Sequence, residues 1–302
     1  MAGGGPVSAL HGWIILDKPY GLGSTQAVAA VKRCLREAGH AKAKIGHGGT
    51  LDPLATGVLP IALGEATKLA GRMLDSDKAY DFCVKFGTET DTLDGEGQVI
   101  AASEVRPSQD EVKAVLPRFT GAIEQMPPAY SALKIDGRRA YDLARAGEEV
   151  ALKPRAVTIH ALTLLSCDAE SATLSVTVSK GTYIRSLARD IAHALGTVGH
   201  VTMLRRTKAG PFALESAISL DKLNEAATGR TIAQYVLPLT VGLDDIPALS
   251  VTPAEALALK QGKQLLGGSR KQGLMLALEG ETPIALVEGF GSEIRVVRGF
   301  NV

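Results

Sequence analysis

Hydrophobic positions near the start of the chain follow two different periods. Residues 13–16 form a short apolar run, which predicts a strand, and a glycine-containing turn follows it at 21–23. Helical spacing then appears at Val28, Val31, Leu35 and Ala38. This pattern predicts a helix that Ser24 caps and Gly39 ends.

The same two periods recur further along the chain. Alternation predicts strands at residues 80–86 and 174–178. Ser108 and Glu111 have the spacing of a capping box before an apolar helix face, and residues 186–195 predict a helix closed by Gly196. Because these elements are mixed without a regular βαβ order, we predict an α+β fold with a mixed or antiparallel sheet.

Two stretches depart from these patterns. Residues 125–154 contain three prolines and five basic residues but few apolar anchors, which predicts a surface insertion. Residues 244–250 contain a proline and show little periodicity. We therefore predict a large domain over residues 1–247 and a small β-rich domain over residues 248–302.

Composition narrows the class of protein. The chain has 302 residues, of which 45% are hydrophobic and 22% charged, as is typical of folded globular proteins. Its three cysteines are scattered, the first ten residues lack a basic start and an apolar block, and no apolar run is long enough to span a membrane. We expect a soluble, cytoplasmic protein. The six histidines show no HExxH spacing, so we expect no metal.

Glycine-rich loops are the first candidates for chemistry. The loop that begins GLGSTQ at Gly21 lacks the third glycine of a dinucleotide fingerprint, and no GxxxxGK[ST] sequence occurs. The simpler interpretation is a strand-to-helix turn. We therefore expect no nucleotide cofactor.

A second glycine-rich loop, residues 46–57, contains a carboxylate in an unusual position. Asp52 precedes Pro53, which favours an extended backbone at the aspartate, and the glycines allow close approach of a ligand. Aspartate beside proline and glycine is also common in turns, and local sequence alone favours that turn-bracing role.

Residues 179–185, SKGTYIR, connect an alternating strand to a helix. Tyr183 and Arg185 are two residues apart and point to one side, and an arginine there could pair with a carboxylate in bidentate fashion. A purely structural salt bridge is the alternative.

Charge is nearly balanced overall but unevenly distributed. The formal net charge is +1, yet residues 180–208 contain six Lys/Arg and one acid, and residues 31–44 contain five and one. Together with the basic residues of the insertion, these segments could form an electropositive face for phosphates. They could equally be solvated surfaces on different sides of the molecule.

Five segments together resemble the TruB-type tRNA pseudouridine-55 synthases, in the family's order and over nearly the whole chain. They are GWIILDKPYGLGS at 12–24, GHGGTLDPLATGVLP at 46–60, QMPPAYSALKIDGRRAYDLARAG at 125–147, SKGTYIRSLARD at 179–190 and LRRTKAGPF at 204–212. The third is similar to the family's RNA-clamping insertion. The resemblance also implies that residues 248–302 form a small PUA-like RNA-binding domain.

The resemblance implies roles for individual residues. Asp52 matches the essential aspartate, and Arg185 matches the arginine that pairs with it; with Tyr80, which packs on the target base, they form the implied catalytic set. The implied substrate-binding residues are His47, Tyr80, Tyr183, Leu204 and Asp94.

The implied activity is isomerisation of uridine 55 in the T-arm loop of tRNA to pseudouridine, with the base flipped out of its stack and no cofactor. The implied partner is tRNA, with the protein acting as a monomer without an obligate protein partner. One alternative is an RNA-binding protein that assists tRNA folding without catalysis. Another is the catalytic subunit of a guide-RNA-dependent synthase, but those relatives carry longer basic termini than this chain.

Overall fold

A computed structural model describes residues 9–40, 42–131, 152–266 and 272–302, and the backbone of two short strands between 134 and 139. The α-helices are α1 Ser24–Glu37, α2 Ala70–Asp75, α3 Gln109–Val115, α4 Ile184–Ala194, α5 Leu220–Thr228 and α6 Pro253–Lys260. Short 3-10 helices lie at Gly64–Leu69, Leu116–Phe119, Leu214–Ser216, Ile232–Tyr235 and Leu239–Leu243.

The strands are interspersed with these helices, and several strands follow one another directly. They are β1 Gly12–Lys18, β2 Ile45–His47, β3 Thr56–Leu63, β4 Lys78–Phe86, β5 Thr88–Thr90, β6 Val99–Ala102, β7 Gly121–Gln125, β8 Lys134–Ile135, β9 Arg138–Arg139, β10 Arg155–Cys167, β11 Ser171–Val178, β12 Gly199–Ala209, β13 Phe212–Ala213, β14 Ile218–Ser219, β15 Leu237–Pro238, β16 Ala248–Ser250, β17 Leu265–Leu266, β18 Gly273–Glu279, β19 Thr282–Phe290 and β20 Glu293–Gly299.

The predicted strands and helices of the first two hundred residues are present, with one correction. Ser108 and Glu111 form the predicted capping box of α3. Ser24, however, is the first residue of α1 and does not cap it, because its hydroxyl bonds to the backbone of Leu51 and Gly23 takes the cap position. Most of the predicted insertion at 125–154 lies outside the described residues.

One large mixed sheet organises the molecule, and the predicted α+β fold class is confirmed. Its main strand order is β14-β1-β3-β12-β4-β11-β10-β7. Strand β12 runs parallel to β3 and antiparallel to β4. The loop that joins β2 to β3 therefore opens beside the middle of the sheet.

Helices cover the sheet in two groups. Helix α4 and helix α3 pack on β4, β10 and β11 in one hydrophobic cluster, whereas α1 and α5 pack on β1 and β3 in another. Tyr80 and Leu204 are half-buried and contact both clusters. These two side chains mark the junction where the candidate site lies.

A second sheet of five strands, in the order β16-β18-β19-β20-β17, is built from the C-terminal part of the chain. Leu276, Leu286 and Phe300 from this part pack in one cluster with Trp13 and Phe212 of the large sheet. The predicted division of the chain at residue 247 stays a prediction. Among the described residues, the helices are too short or too polar to cross a membrane.

Candidate active site

The loop between β2 and β3 carries Asp52, and we call it the catalytic loop (residues 48–55) after the role that the family resemblance implies for this aspartate. The loop returns to the sheet at Gly57, where β3 pairs with β12. Gly57 has a φ of +99°, and a Cβ atom there would lie 2.2 Å from the carbonyl oxygen of Arg206. Only glycine allows the two strands to approach this closely.

A buried arginine lies beneath the catalytic loop. The guanidinium of Arg206 donates from Nε to the carbonyl oxygen of Val58 at 2.7 Å, from Nη2 to that of Gly49 at 3.1 Å and from Nη1 to that of Thr50 at 3.3 Å. Arg206 is 1% exposed. The backbone on both sides of Asp52 is thus tied to one side chain.

Two further side chains hold the same loop. The Ser24 hydroxyl accepts from the amide of Leu51 and donates to its carbonyl oxygen, both at 2.8 Å. The buried ammonium of Lys18 donates to the carbonyl oxygen of Pro53 at 3.1 Å. Burial lowers the pKa of Lys18 to about 8; the charge of Asp52 opposes this shift, and that of Arg206 adds to it.

Arg185, at the start of α4, joins two carboxylates. Its Nη2 lies 3.1 Å from Oδ2 of Asp52, and its Nη1 lies 3.3 Å from Oδ2 of Asp94. The side chain of Asp52 is 42% exposed, whereas those of Arg185 and Asp94 are 8% and 10% exposed. One carboxylate therefore faces solvent while the other lies behind the guanidinium.

The geometry gives Asp94 a different setting from the one expected for an RNA contact. Its Oδ1 accepts from the Thr92 hydroxyl at 2.6 Å and from the Glu96 amide at 3.0 Å. Arg185 also donates to the Thr92 carbonyl oxygen at 2.8 Å. Asp94 is thus bound within its own turn and to Arg185, at the edge of a groove.

Asp52 lies in the wall between two concave spaces. A cavity of about 200 Å³ is bounded by five of the predicted residues, Asp52, Tyr80, Tyr183, Arg185 and Leu204, together with Thr50, Leu51, Ser131, Thr182 and Ile184. A groove of about 830 Å³ continues past it to Asp94, His47 and the start of α1. The structure therefore brings all the predicted site residues to one connected region.

His47 ends β2 at the rim of the groove and is half-buried. Burial lowers its pKa, and the nearby positive charge of Arg206 acts in the same direction. The amide of Gly49 donates to Nδ1 of His47 at 3.4 Å. The ring is therefore neutral near pH 7, with Nε2 left as its donor.

A buried glutamine fixes the backbone of Tyr183. Gln125, at the end of β7, is 0% exposed. Its amide nitrogen donates to the Tyr183 carbonyl oxygen at 3.1 Å, and its amide oxygen accepts from the Tyr183 N–H at 2.8 Å. Residues 125–131, which we call the insertion root, also supply the Tyr130 carbonyl oxygen that accepts from Arg185 at 2.9 Å.

The two basic segments differ in how much free charge they present. In residues 180–208, Lys180, Arg185, Arg189 and Arg205 are paired with carboxylates, and Arg206 is buried. In residues 31–44 the five basic side chains are exposed. Most of the positive charge counted in the first segment therefore holds the fold and the site together.

No role was predicted from the sequence for Arg206, Lys18 or Gln125, and Ser24 was predicted only to cap α1. Each acts on backbone atoms of a residue distant in the chain, for which a local pattern carries no signal. The available hint was Lys18, a charged residue at the end of the apolar strand β1. The adjacent arginines Arg205 and Arg206 in LRRTKAGPF look alike in the sequence, and nothing there indicates that Arg206 is buried.

Comparisons with known proteins agree over nearly the full length. Residues 34–184 match the TruB family pseudouridylate synthase N-terminal domain, and residues 185–244 match the tRNA pseudouridylate synthase B C-terminal domain. A tRNA pseudouridine synthase B of Zymomonas mobilis is 61% identical over 296 residues, 98% of each chain. One of Novosphingobium aromaticivorans is 63% identical over 298 residues, 97% of this chain and 98% of the relative.

The fold has solved counterparts as well. The structure of a Cbf5-Nop10-Gar1 complex contains a chain that is 26% identical, with a TM-score of 0.72 over 97% of this chain and 84% of that one. The resemblance predicted from five motifs is thus confirmed by matches to whole domains and whole chains. The chain belongs to the TruB family of pseudouridylate synthases.

Proposed function

We propose that this protein converts uridine 55 in the T-arm loop of tRNA to pseudouridine, with Asp52 as the essential carboxylate. The observation that carries the proposal is the position of Asp52: it is paired with Arg185 at 3.1 Å and lies in the wall of a cavity lined by Tyr80, Tyr183 and Leu204. Relatives named tRNA pseudouridine synthase B, at 61% and 63% identity, support the choice of substrate.

The chemistry requires a carboxylate but no redox partner. The N1–C1′ bond of the uridine breaks, the base turns, and C5 bonds to C1′. The proton on C5 is then lost to solvent while N1 takes up a proton, so the product is an isomer of the substrate. An ionised carboxylate serves this sequence as nucleophile or base. The guanidinium of Arg185 lies 3.1 Å from Oδ2 of Asp52 and can hold this carboxylate in place through a charge-assisted hydrogen bond.

The target base must leave its stack to reach Asp52, which costs a few kcal/mol. Aromatic surfaces compensate part of this cost by stacking on bases. Tyr80 and Tyr183 border the cavity, and His47 borders the groove that leads to it. In this proposal the tyrosines receive the flipped base while neutral His47 contacts the opened loop.

The rest of the prediction belongs to the same proposal. The protein acts in the cytoplasm as a monomer without an obligate protein partner, and the C-terminal sheet contributes a PUA-like RNA-binding surface. The competing function is RNA binding that assists tRNA folding without catalysis. The specific feature that favours catalysis is a carboxylate 42% exposed in an RNA-facing cavity, because binding a polyanion gains nothing from it.

The test is release of tritium from a tRNA transcript labelled at C5 of uridine. The wild-type protein should release label from a normal transcript but none from one with cytidine at position 55. Asp52→Asn keeps the shape of the side chain but not its charge, so it should lower the rate by about 10⁴-fold or more while tRNA binding survives. Near-normal turnover by Asp52→Asn would overthrow the mechanism. A wild-type protein that binds tRNA without releasing label would support the folding role.

A further inference from the structure

All the hydrogen bonds found for the buried guanidinium of Arg206 go to backbone atoms at the base of the catalytic loop. Its three nitrogens donate to the carbonyl oxygens of Gly49 and Thr50, before Asp52, and of Val58, after it. The side chain therefore closes the base of the loop from below. Few buried carbonyl groups in proteins are left without a partner, and here a charged donor takes that role.

This arrangement is a poor one if the residue serves stability alone. Within the described part of the chain, Arg206 forms no ion pair; the nearby carboxylate of Asp17 pairs with Arg205 instead. Burying an uncompensated charge opposes folding, and apolar replacements of buried charges are often neutral or stabilising. Burial is the main cause of the lowered pKa of Lys18, His47 and Lys78, and the positive charge of Arg206 adds to each of these shifts.

We infer that Arg206 is a positioning residue for the reaction: it holds the catalytic loop so that the carboxylate of Asp52 stays against Arg185 at the cavity wall. This inference rests on the proposed function. Arg206 acts through the backbone, since it lines neither the cavity nor the groove. Its contribution is pre-organisation of the carboxylate before the base arrives.

The guanidinium is matched to this task in a way that lysine is not. Its planar fork presents donors in fixed directions, and the three carbonyl oxygens lie on different sides of it. An ammonium has the same charge but cannot span the same acceptors. A displacement of about 1 Å in a reacting group can reduce a rate by about 10²-fold.

The experiment compares Arg206→Lys with the wild type in two separate measurements. One is the single-turnover rate of tritium release with enzyme in saturating excess, and the other is the Kd for tRNA from filter binding. We expect the rate to fall by about 30- to 100-fold and the Kd to change by less than about threefold, because the affected loop positions the carboxylate. A wild-type protein without activity would refute the proposed function, whereas this inference is tested by the ratio of variant to active wild type.

Arg106→Lys is the matched control. Arg106 also donates to two backbone carbonyl oxygens, those of Ser103 and Val105, and it pairs with Glu170, but it lines neither the cavity nor the groove. Its rate and Kd should remain within about threefold of the wild type if only the catalytic loop matters. An equal fall in both lysine variants would overturn the inference.

Chemical rescue separates positioning from a general structural role. Guanidinium added at tens of millimolar should raise the single-turnover rate of Arg206→Ala by at least about tenfold. The same addition should not raise the rate of Asp52→Asn. Thermal melting monitors the fold of each variant. Three outcomes would each overturn the inference. The first is an Arg206→Lys rate within threefold of the wild type, and the second is a parallel loss of rate and tRNA binding in that variant. The third is failure of both Arg206 variants to fold when guanidinium is present.

Discussion

The catalytic loop and the insertion root enclose the same cavity but are held in different ways. The loop is fixed by buried side chains that carry charge, Arg206 and Lys18, together with the hydroxyl of Ser24. The root is held at its start by a neutral group, the amide of Gln125 on the backbone of Tyr183, and further along by single hydrogen bonds from Arg189 to Met126 and from Arg185 to Tyr130. Arg185 touches both regions, through the carboxylate of Asp52 and the carbonyl oxygen of Tyr130.

The difference separates two tasks of the site. Hydrogen bonds from a charged donor are stronger than neutral ones, which suits a loop that must hold a reacting carboxylate in one place. The root has fewer charged donors for each of its residues, and it leads directly into the predicted RNA-clamping insertion. The site is therefore fixed on the side of the chemistry and linked on the other side to the region predicted to contact RNA.

Arg185→Lys should break the connection between the two regions and give the largest effect. Arg185 donates to the carbonyl oxygens of Thr92 and Tyr130 and pairs with both Asp52 and Asp94, and one ammonium cannot replace these contacts. We expect the single-turnover rate to fall by about 10²- to 10³-fold, with less than about fivefold change in Kd for tRNA. An unchanged rate in a folded variant would contradict the role of the ion pair.

Gln125→Ala tests the neutral contact at the start of the insertion root. It leaves the N–H and the carbonyl of Tyr183 without their partners, which should lower the free energy of unfolding by about 1–3 kcal/mol. We expect about a tenfold slower single turnover, because Tyr183 borders the cavity. Gln125→Glu keeps the acceptor for the Tyr183 N–H, so its stability and its single-turnover rate should lie between those of the wild type and of Gln125→Ala. Loss of stability with an unchanged rate would confine Gln125 to the fold.

Lys44→Ala tests whether part of the affinity for tRNA arises outside the catalytic loop and the insertion root. Lys44 is exposed and three residues before His47, in the basic segment whose side chains face solvent. Each lost phosphate contact should reduce the slope of log Kd against log salt by about 0.7–0.9, with little change in the single-turnover rate. Lys113→Ala, on the exposed face of α3, is the control and should leave the slope unchanged. Equal slopes in all three proteins would remove this segment from the interface.

The pH dependence of stability probes the charged side of the comparison without a measurement of turnover. The pKa of Lys18 is about 8 in the folded chain and near 10.5 when unfolded, so between these values the folded chain binds fewer protons. The free energy of unfolding should therefore rise with pH across this window, by at most about 1.4 kcal/mol per pH unit, and the cost of the buried charge is complete below pH 8. Denaturant titrations of wild type and Lys18→Met should diverge above pH 8; parallel curves would contradict the assignment.

Local pattern predicted much of the fold but little of the support beneath the site. The alternation at residues 80–86 and the capping box of Ser108 depend on near neighbours, and both were found. Ser24 fits a capping pattern equally well, yet its partner is Leu51, which only tertiary contact brings near. The alternation of β12 is interrupted by bulges on both sides of its middle, so the burial of Arg206 does not follow from its place in the sequence.

The roles of Asp52 and Arg185 came from resemblance to a family and not from spacing. Local sequence favoured turn-bracing for Asp52 and left a structural salt bridge open for Arg185. The 3.1 Å contact between them joins segments far apart in the chain. Whether that contact is catalytic stays a prediction for the experiments above.

The backbone at Gly57 has a consequence for how this enzyme can vary. A side chain at this position would collide with the strand that carries Arg206, at 2.2 Å from its carbonyl oxygen, and would also require a φ of +99°. A library of all twenty amino acids at codon 57 should therefore return glycine alone under selection for activity. Residues at the rim of the groove can be substituted one at a time during evolution. Gly57, where β3 pairs with β12, cannot be replaced by a single substitution that keeps the two strands together.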